Sequence, residues 1–395
     1  MAASGRIIIV GAGIGGLTAA LALARAGFPV TVLEAAAQLE EAGAGVQLSP
    51  NATRILLALG LGQALMPLAV VPDALRVMNA RTGGEIVSAP LGVAAAVRYG
   101  APFWAIHRAD LRRVLADAVA RADNIDLHLG LGVEDFALRG ERIAVIGRGA
   151  NAMIQMEGSA LVGADGLWST LRPRVSMNGK PQAYGRTAWR ALVPAEQVSA
   201  EFREPQVTLW LGPQAHVVHY PVRGGAAVNV VAIVQEDWNK QGWSAPGDPV
   251  FLRARLARWA PAIRDLVAVP EKWNTWALHA LPPLAQWGAG PVTLIGDAAH
   301  AMRPFLAQGA AMAIEDAAAQ ARRLAANAGD VAGALRTYEQ DRRPRTARVQ
   351  QEAARNGRRY GWRGPLAAAR NFALARMGGE KLIARYDWIY DWKDE

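Results

Sequence analysis

The segment Gly11-Ala-Gly-Ile-Gly-Gly16 limits what this chain can fold into more tightly than any other feature. Residues 6–10 before it form a short, β-branched, apolar run, the composition of a buried parallel strand. Residues 17–26 after it are an Ala/Leu-rich helical stretch closed by Gly27, and residues 29–33 form a second strand that ends on Glu34. The order is strand, helix, strand, with a right-handed crossover expected. In that setting Gly11 serves the tight turn, Gly13 lets backbone approach a pyrophosphate, and Gly16 allows the helix to pack on the strand. Ile14 and Gly15 open the helix, whose free N–H groups and positive dipole end suit phosphate. Glu34, with Ala35 beside it, is placed to accept a hydrogen bond from a ribose hydroxyl. A dinucleotide is therefore expected, with FAD and NAD both open at this point.

The remaining pattern predicts an interrupted dinucleotide lobe. Ser49-Pro-Asn-Ala-Thr53 opens a helix through Leu59, with Ser49 as N-cap and Pro50 in the first turn. Residues 108–122 form an amphipathic helix, and 125–129, 133–138 and 142–146 alternate as short strands. Residues 160–164 are a strand leading into Asp165-Gly166. From about Gln182 to Trp276 the texture becomes β-rich, with runs at 207–211, 216–221 and 227–234, which predicts a second, largely antiparallel lobe. Residues 291–295 return to a buried strand, followed by a long Ala-rich helix over 309–326.

Composition excludes several classes. With no Cys there can be neither a disulfide framework nor thiolate chemistry, and a reducing cytoplasm is the expected setting. The first residues do not fit a signal peptide, and no run of about 18 apolar residues occurs, so no membrane span is expected. The net charge of +9 is concentrated near the C-terminus, where nine arginines and one acid, Glu352, lie between Arg342 and Arg370. The favoured reading is a solvated helix face with some arginines paired to acids elsewhere. A field that attracts anionic substrates and nicotinamide phosphates comes second. Nucleic acid comes last, because no aromatic-basic recognition motif accompanies the charge. The six histidines lack metal-ligand spacing, so no metal is expected.

Two later segments bear on the cofactor. Gly163-Ala-Asp-Gly-Leu-Trp-Ser169, with Arg172 following, comes after a strand, and Gly296-Asp-Ala-Ala-His300, with Pro304 and Gly309, lies between a strand and a helix. With the glycine motif they resemble the FAD-dependent aromatic hydroxylases, the family of para-hydroxybenzoate, salicylate and 3-hydroxybenzoate hydroxylases. The likeness runs from Ile7 to about Arg343. It implies an α/β fold in which a Rossmann-like FAD-binding domain of the glutathione-reductase type is interleaved with an antiparallel-sheet substrate domain. The implied division is 1–72, 101–181 and 285–345 for FAD, 73–100 and 182–284 for substrate, and 346–395 as a C-terminal helical segment. By position, Asp297 would hold the ribityl or pyrophosphate region of FAD. Asp165 and Gly166 would serve FAD and the transient nicotinamide donor, NADH or NADPH, with NADH preferred by the branch. Gly43-Ala-Gly-Val-Gln47 resembles the segment that lines the flavin, with Val46 and Gln47 against it. Arg108, in His107-Arg-Ala-Asp-Leu111, would reach the FAD phosphates or ribityl chain. Pro304, Gln308, Gly309 and Ala310 would lie beside the isoalloxazine, although helix capping is an equal reading for Gln308. His300 would shape the flavin site directly or through hydrogen bonds.

The same likeness implies a monooxygenase acting on a small aromatic or heteroaromatic compound, in which the flavin carries the oxygen chemistry. The protein must then position the ring, exclude water and make the ring electron-rich by accepting a phenolic proton. His216 and Tyr220 are four apart on one strand and so face the same side. Their segment resembles the one that supplies a pocket His and Tyr in 3-hydroxybenzoate and 6-hydroxynicotinate hydroxylases. His216 is thus the candidate base or hydrogen-bond partner and Tyr220 the candidate ring-orienting group, against a plain structural role for both. His219 should face the opposite side. Arg303 departs from the family, which has an apolar residue there, so it either makes the pocket more anion-seeking or points outward. The tail Tyr386-Asp-Trp-Ile-Tyr390 resembles the salicylate and 3-hydroxybenzoate branch. The expected partners are a small aromatic acid and O2, with a homodimer as the expected assembly. Another FAD-dependent oxidoreductase, a dehydrogenase or a monooxygenase on a non-aromatic substrate, is the rival reading.

Overall fold

The computed structural model describes residues 5–39, 44–140, 142–149, 152–176 and 179–394, so Gly43 of the flavin-lining segment lies outside the described residues. Ile7–Val10, the apolar run before the glycines, is buried at all four positions and is central in a five-stranded parallel sheet. Its neighbours are Val30–Glu34 on one side and Ala160–Gly163 on the other, with Val292–Leu294 and Ile125–Leu129 at the two edges. Strands buried on both faces need continuous apolar runs, which these four-residue segments supply. The sequence grouped Ile125–Leu129 with the two strands after it. It instead joins the parallel sheet, while Gly132–Arg139, Arg142–Arg148 and Met153–Gly158 form a separate antiparallel sheet. Alternation identifies a strand but not its partner.

The second lobe is an eight-stranded sheet. Six of its seven strand pairs are antiparallel, and in the seventh Gln206–Gly212 runs parallel to Ala74–Asn79. That strand and its hairpin mate Glu85–Pro90 extend the sheet from an earlier stretch of chain. Alternation sorts its two faces cleanly. Trp189, Val217, Val228, Val230, Ala232 and Val234 pack with Leu252, Trp259, Ile263 and Leu266 in one apolar core. Ala188 and Ile233 face the other way and pack against Phe305 of the dinucleotide lobe. The face that meets the dinucleotide lobe is the one that carries His216 and Tyr220.

Helix Ile14–Arg25 is pinned by small residues. A Cβ on Gly15 would lie 3.1 Å from the Cβ of Ala313 in helix Gly309–Ala326, and one on Gly296 would lie 3.0 Å from the same atom. Gly296 also needs its φ of 58° to turn the chain from the last parallel strand into the short helix Asp297–His300. Helix Val331–Tyr360 runs for 30 residues with Pro344 inside it and buries Tyr338, Arg342, Val349 and Ala353. The expected pairing of some arginines to acids elsewhere is seen at the buried Arg342, which meets Glu315 and Asp316, whereas Arg370 is buried on the carbonyls of Arg359 and Tyr360 instead. Among the described residues no helix is long and apolar enough to cross a membrane.

Candidate active site

The glycine turn has the three environments its spacing demands. Gly11 has φ 104°, and a Cβ there would meet the carbonyl oxygen of Ala164 at 2.4 Å. A Cβ on Gly16 would fall 1.9 Å from the Gly11 carbonyl oxygen, so only glycine closes this turn. Gly13 is different, since a Cβ there would touch nothing within 4 Å. Its glycine therefore serves space outside the protein fold, where a phosphate would approach. Glu34 Oε2 accepts from the Ala12 N–H at 2.7 Å and Oε1 from the Ala36 N–H at 2.9 Å. Arg112 steadies the same turn by donating to the Ala12 carbonyl at 3.0 Å. Each Glu34 oxygen keeps acceptor capacity for a ribose hydroxyl.

Around this turn the other two motifs converge. Asp165 Oδ2 accepts from the Thr170 and Leu171 N–H groups at 2.8 and 3.2 Å, while Oδ1 is buried with no partner. Arg172 ties the motifs together, donating to the Leu167 carbonyl at 2.6 Å and the Ala298 carbonyl at 3.1 Å. Asp297, Arg108 and Pro304 are exposed, and Gly309 lies beside Asp297. The open Gly13, the unpartnered Asp165 oxygen and the exposed Asp297 and Arg108 fit FAD. Gly45–Leu48, which carries Val46 and Gln47, pairs with Trp104–His107 and is held to the second lobe. There the Gly45 N–H donates to Asn229 Oδ1 at 2.7 Å, and the Tyr220 hydroxyl is hydrogen-bonded to Gln47.

His216 and Tyr220 do share a face of Ala215–Val222, and both are buried. The His216 ring lies 5.4 Å from that of Phe305 and 5.3 Å from that of Tyr360. Burial, and then the Arg186 charge, hold its imidazole down at about 3, so it is uncharged at neutral pH. Its Nδ1 has no partner. Burial likewise raises the Tyr220 hydroxyl far above the ordinary phenol range. His219 faces the apolar core on the opposite side, edge-on to Phe202.

Gln308 and Ser49 differ from expectation in one way. Neither caps a helix through its side chain. Ser49 Oγ donates to Asn51 Oδ1 at 2.6 Å, and the Gln308 amide donates to Ser49 Oγ at 2.9 Å and accepts from Asn51 at 3.2 Å. Asn51 also donates to Glu315 Oε1 at 2.6 Å. Glu315 receives Arg342 at 2.5 Å and Arg345 at 2.7 Å, and Arg342 reaches Asp316 at 2.8 Å. His300 closes the network on Asp316 at 2.5 Å. Burial alone would raise the Asp316 carboxyl, but His300 and Arg342 hold it down at about 2. Arg345 carries the network to the tail by donating to the Trp388 and Ile389 carbonyls.

This network was missed in the sequence. The signal was present: two adjacent acids sit in a helix that is otherwise Ala-rich and buried along most of its length, and such acids need cationic partners. Also missed were Arg186 and Arg190, on the His216-facing side of Gln182–Pro194. Arg190 has a buried, unpartnered Nε, and burial followed by the nearby Arg108 charge pulls its guanidinium below the usual range.

The FAD binding domain family matches residues 5–353. The chain belongs to the FAD-dependent aromatic hydroxylases. Among its relatives, 3-hydroxybenzoate 6-hydroxylase 1 of Aquipseudomonas alcaligenes is 38% identical over 97% of each chain. The 6-hydroxynicotinate 3-monooxygenase of Bordetella bronchiseptica is 32% identical over 87% of this chain and 89% of its own. Among solved structures, a salicylate hydroxylase substrate complex superposes with a TM-score of 0.82 at 26% identity, covering 98% of this chain and 95% of that one. HpxO of Klebsiella pneumoniae, complexed with FAD and uric acid, superposes with a TM-score of 0.84 at 26% identity, covering 96% and 95%. This aromatic hydroxylase is thus an FAD-dependent monooxygenase linked to NAD(P)H, and the dehydrogenase reading falls away.

Proposed function

We propose that the chain hydroxylates a monohydroxylated aromatic or heteroaromatic acid, with NADH as electron donor, in the cytoplasm and as a homodimer. The observation that supports it best is His216: a buried, uncharged imidazole with an open Nδ1, on the sheet face that meets the flavin-side loop. When bound, FAD passes electrons from the nicotinamide to O2 and supplies the oxygen transfer. The residues that would hold it are Gly11, Gly13, Ile14, Gly15, Gly16, Glu34, Ala35, Val46, Gln47, Arg108, Asp165, Gly166, Asp297, Pro304, Gly309 and Ala310. The protein's own chemistry lies around the substrate. An uncharged His216 can accept the phenolic proton or a hydrogen bond from it, which enriches the ring for attack. The phenolate so formed is stabilised by the Arg190 guanidinium at the same junction.

Tyr220 and Gln308 position rather than react. Tyr220 holds Gln47 and the strand beside it, and Gln308 braces its loop against Ser49 and Asn51. Burial of His216, Phe305 and Tyr220 keeps water from the reacting ring. The test is NADH oxidation in air with a panel of hydroxylated aromatic acids, with peroxide and product mass followed for wild type and His216→Ala. The expected result is one acid that stimulates NADH use with little peroxide. His216→Ala should then lose about 10²-fold or more in coupled turnover. Coupled turnover by His216→Ala near the wild-type rate would remove His216 from the mechanism.

A further inference from the structure

Arg303, the residue that departs from the family, does not point away from the molecule. Its guanidinium lies 4.7 Å from the centre of the Tyr184 ring. With Met302, Leu281, Pro282 and Gln350 it lines a cavity of about 210 Å³ between the second lobe and the long C-terminal helix. Arg186 approaches the same tyrosine from the sheet and also lies 5.6 Å from the Phe305 ring centre. Among the described residues neither arginine meets a carboxylate, and Arg186 lies within reach of the Arg303 charge. Arg186 Nη1 and the Tyr184 hydroxyl are both buried without a hydrogen-bond partner.

Arg303 and Tyr184 line the cavity and Arg186 lies beside that tyrosine, so two guanidiniums and a phenol meet there without a counter-charge and form an incomplete set. Polar groups kept from water without partners are costly, and like charges held together add to that cost. The same chain supplies acids freely where arginines are structural, as Glu315 and Asp316 do for Arg342. An anion from outside would complete the set, and a carboxylate suits two guanidinium forks and a hydroxyl donor. Leu281, Pro282, Pro283 and Met302 give the cavity an apolar wall beside the uncharged Gln182, Gln350 and Gln351, a lining that suits a ring better than a polyphosphate. Phe305 connects this cavity to the candidate base: its ring lies 6.2 Å from Tyr184 and 5.4 Å from His216.

We propose that Arg186 and Arg303, with the Tyr184 hydroxyl, form a carboxylate subsite that selects acidic aromatic substrates and delivers them beside His216. The subsite rests on the reading that the substrate is a hydroxylated aromatic acid. It makes Arg186 and Arg303 specificity-determining residues and leaves the oxygen chemistry elsewhere.

The test compares FAD-loaded wild type with Arg303→Met and Arg186→Gln, using 3-hydroxybenzoate and its neutral match 3-hydroxybenzamide. Kd is read from the change in flavin absorbance, and KM and kcat from NADH oxidation with product formation. Flavin content and melting temperature report folding, and Arg186→Lys replaces Arg186→Gln if the latter loses flavin. Each variant should weaken the acid at least ten-fold, leave the amide within two-fold, and leave the KM for NADH unchanged. Equal weakening of acid and amide, a raised KM for NADH with acid binding intact, or wild type that binds neither compound would overturn the subsite. Selective acid binding that yields no hydroxylated product would leave the subsite standing and remove the hydroxylase reading. Product formation that is indifferent to both substitutions would do the reverse.

Discussion

Two groups of arginines in this molecule look alike in sequence and sit in opposite circumstances. Arg342 and Arg345 enter the buried end of the dinucleotide lobe and find Glu315 and Asp316 within 2.5–2.8 Å. Arg186, Arg190 and Arg303 gather where the second lobe meets the first, and among the described residues they find aromatic rings instead of acids. A buried charge with its acid is part of the scaffold, because removing either partner strands the other. A group of charges left without acids is stabilised only when an anion arrives. The contrast separates residues that hold the fold from residues that recognise a ligand, and it can be broken by substitution.

The largest effect should come from the paired group. Asp316→Ala strands His300 and takes one of the two acids from Arg342, and a loss of roughly 3–5 kcal/mol in stability is expected. Chemical denaturation should show it together with loss of bound flavin, and a variant as stable as wild type would show the network to be dispensable. Arg190→Gln, from the unpaired group, should change stability by no more than about 1 kcal/mol while weakening binding of an aromatic acid. A collapse like that of Asp316→Ala would erase the distinction.

The glycine turn offers the same contrast at smaller scale. Gly16→Ala drives a methyl into the Gly11 carbonyl and should destabilise the fold, whereas Gly13→Ala meets no protein atom and its φ of −77° suits alanine. The expected signature of Gly13→Ala is normal melting of the flavin-free protein with about ten-fold or greater loss of FAD affinity by fluorescence titration. Equal melting losses for the two variants would refute the assignment of Gly13 to the ligand.

The effect that is smallest at neutral pH is on pH dependence. His216 and His219 are both held at about 3 when folded and return to the ordinary value of about 6.5 on unfolding. The unfolded chain therefore binds more protons between those values, and stability falls as pH drops from about 6.5 towards 3. Each histidine contributes a slope of about 1.4 kcal/mol per pH unit well inside that window. His219→Leu, which keeps the apolar face filled, should lower the slope of stability against pH by that amount. An unchanged slope would mean that His219 is protonated in the fold.

Much of this organisation was legible in the sequence, for physical reasons that differ by element. The Gly11 to Glu34 unit was legible because steric demands leave glycine no substitute at Gly11 and Gly16. The shared face of His216 and Tyr220 followed from the two-residue period of a strand. What could not be read was partnership across long stretches of chain. The placement of Ile125–Leu129 in the parallel sheet depends on hydrogen bonds to Val30–Glu34, which no local pattern encodes. The Glu315–Arg342 pair and the gathering of Arg186 and Arg303 on Tyr184 depend on how the lobes meet. Their arginines looked like any others until it was clear which of them had acids.

The most direct test of the whole account is turnover of 3-hydroxybenzoate or a related hydroxylated aromatic acid by the FAD-loaded protein under isotopically heavy O2. The expected result is a product heavier by one labelled oxygen, formed in step with NADH consumed and with little peroxide. NADH oxidation that yields only peroxide with every acid offered, or a product whose added oxygen comes from water, would contradict it.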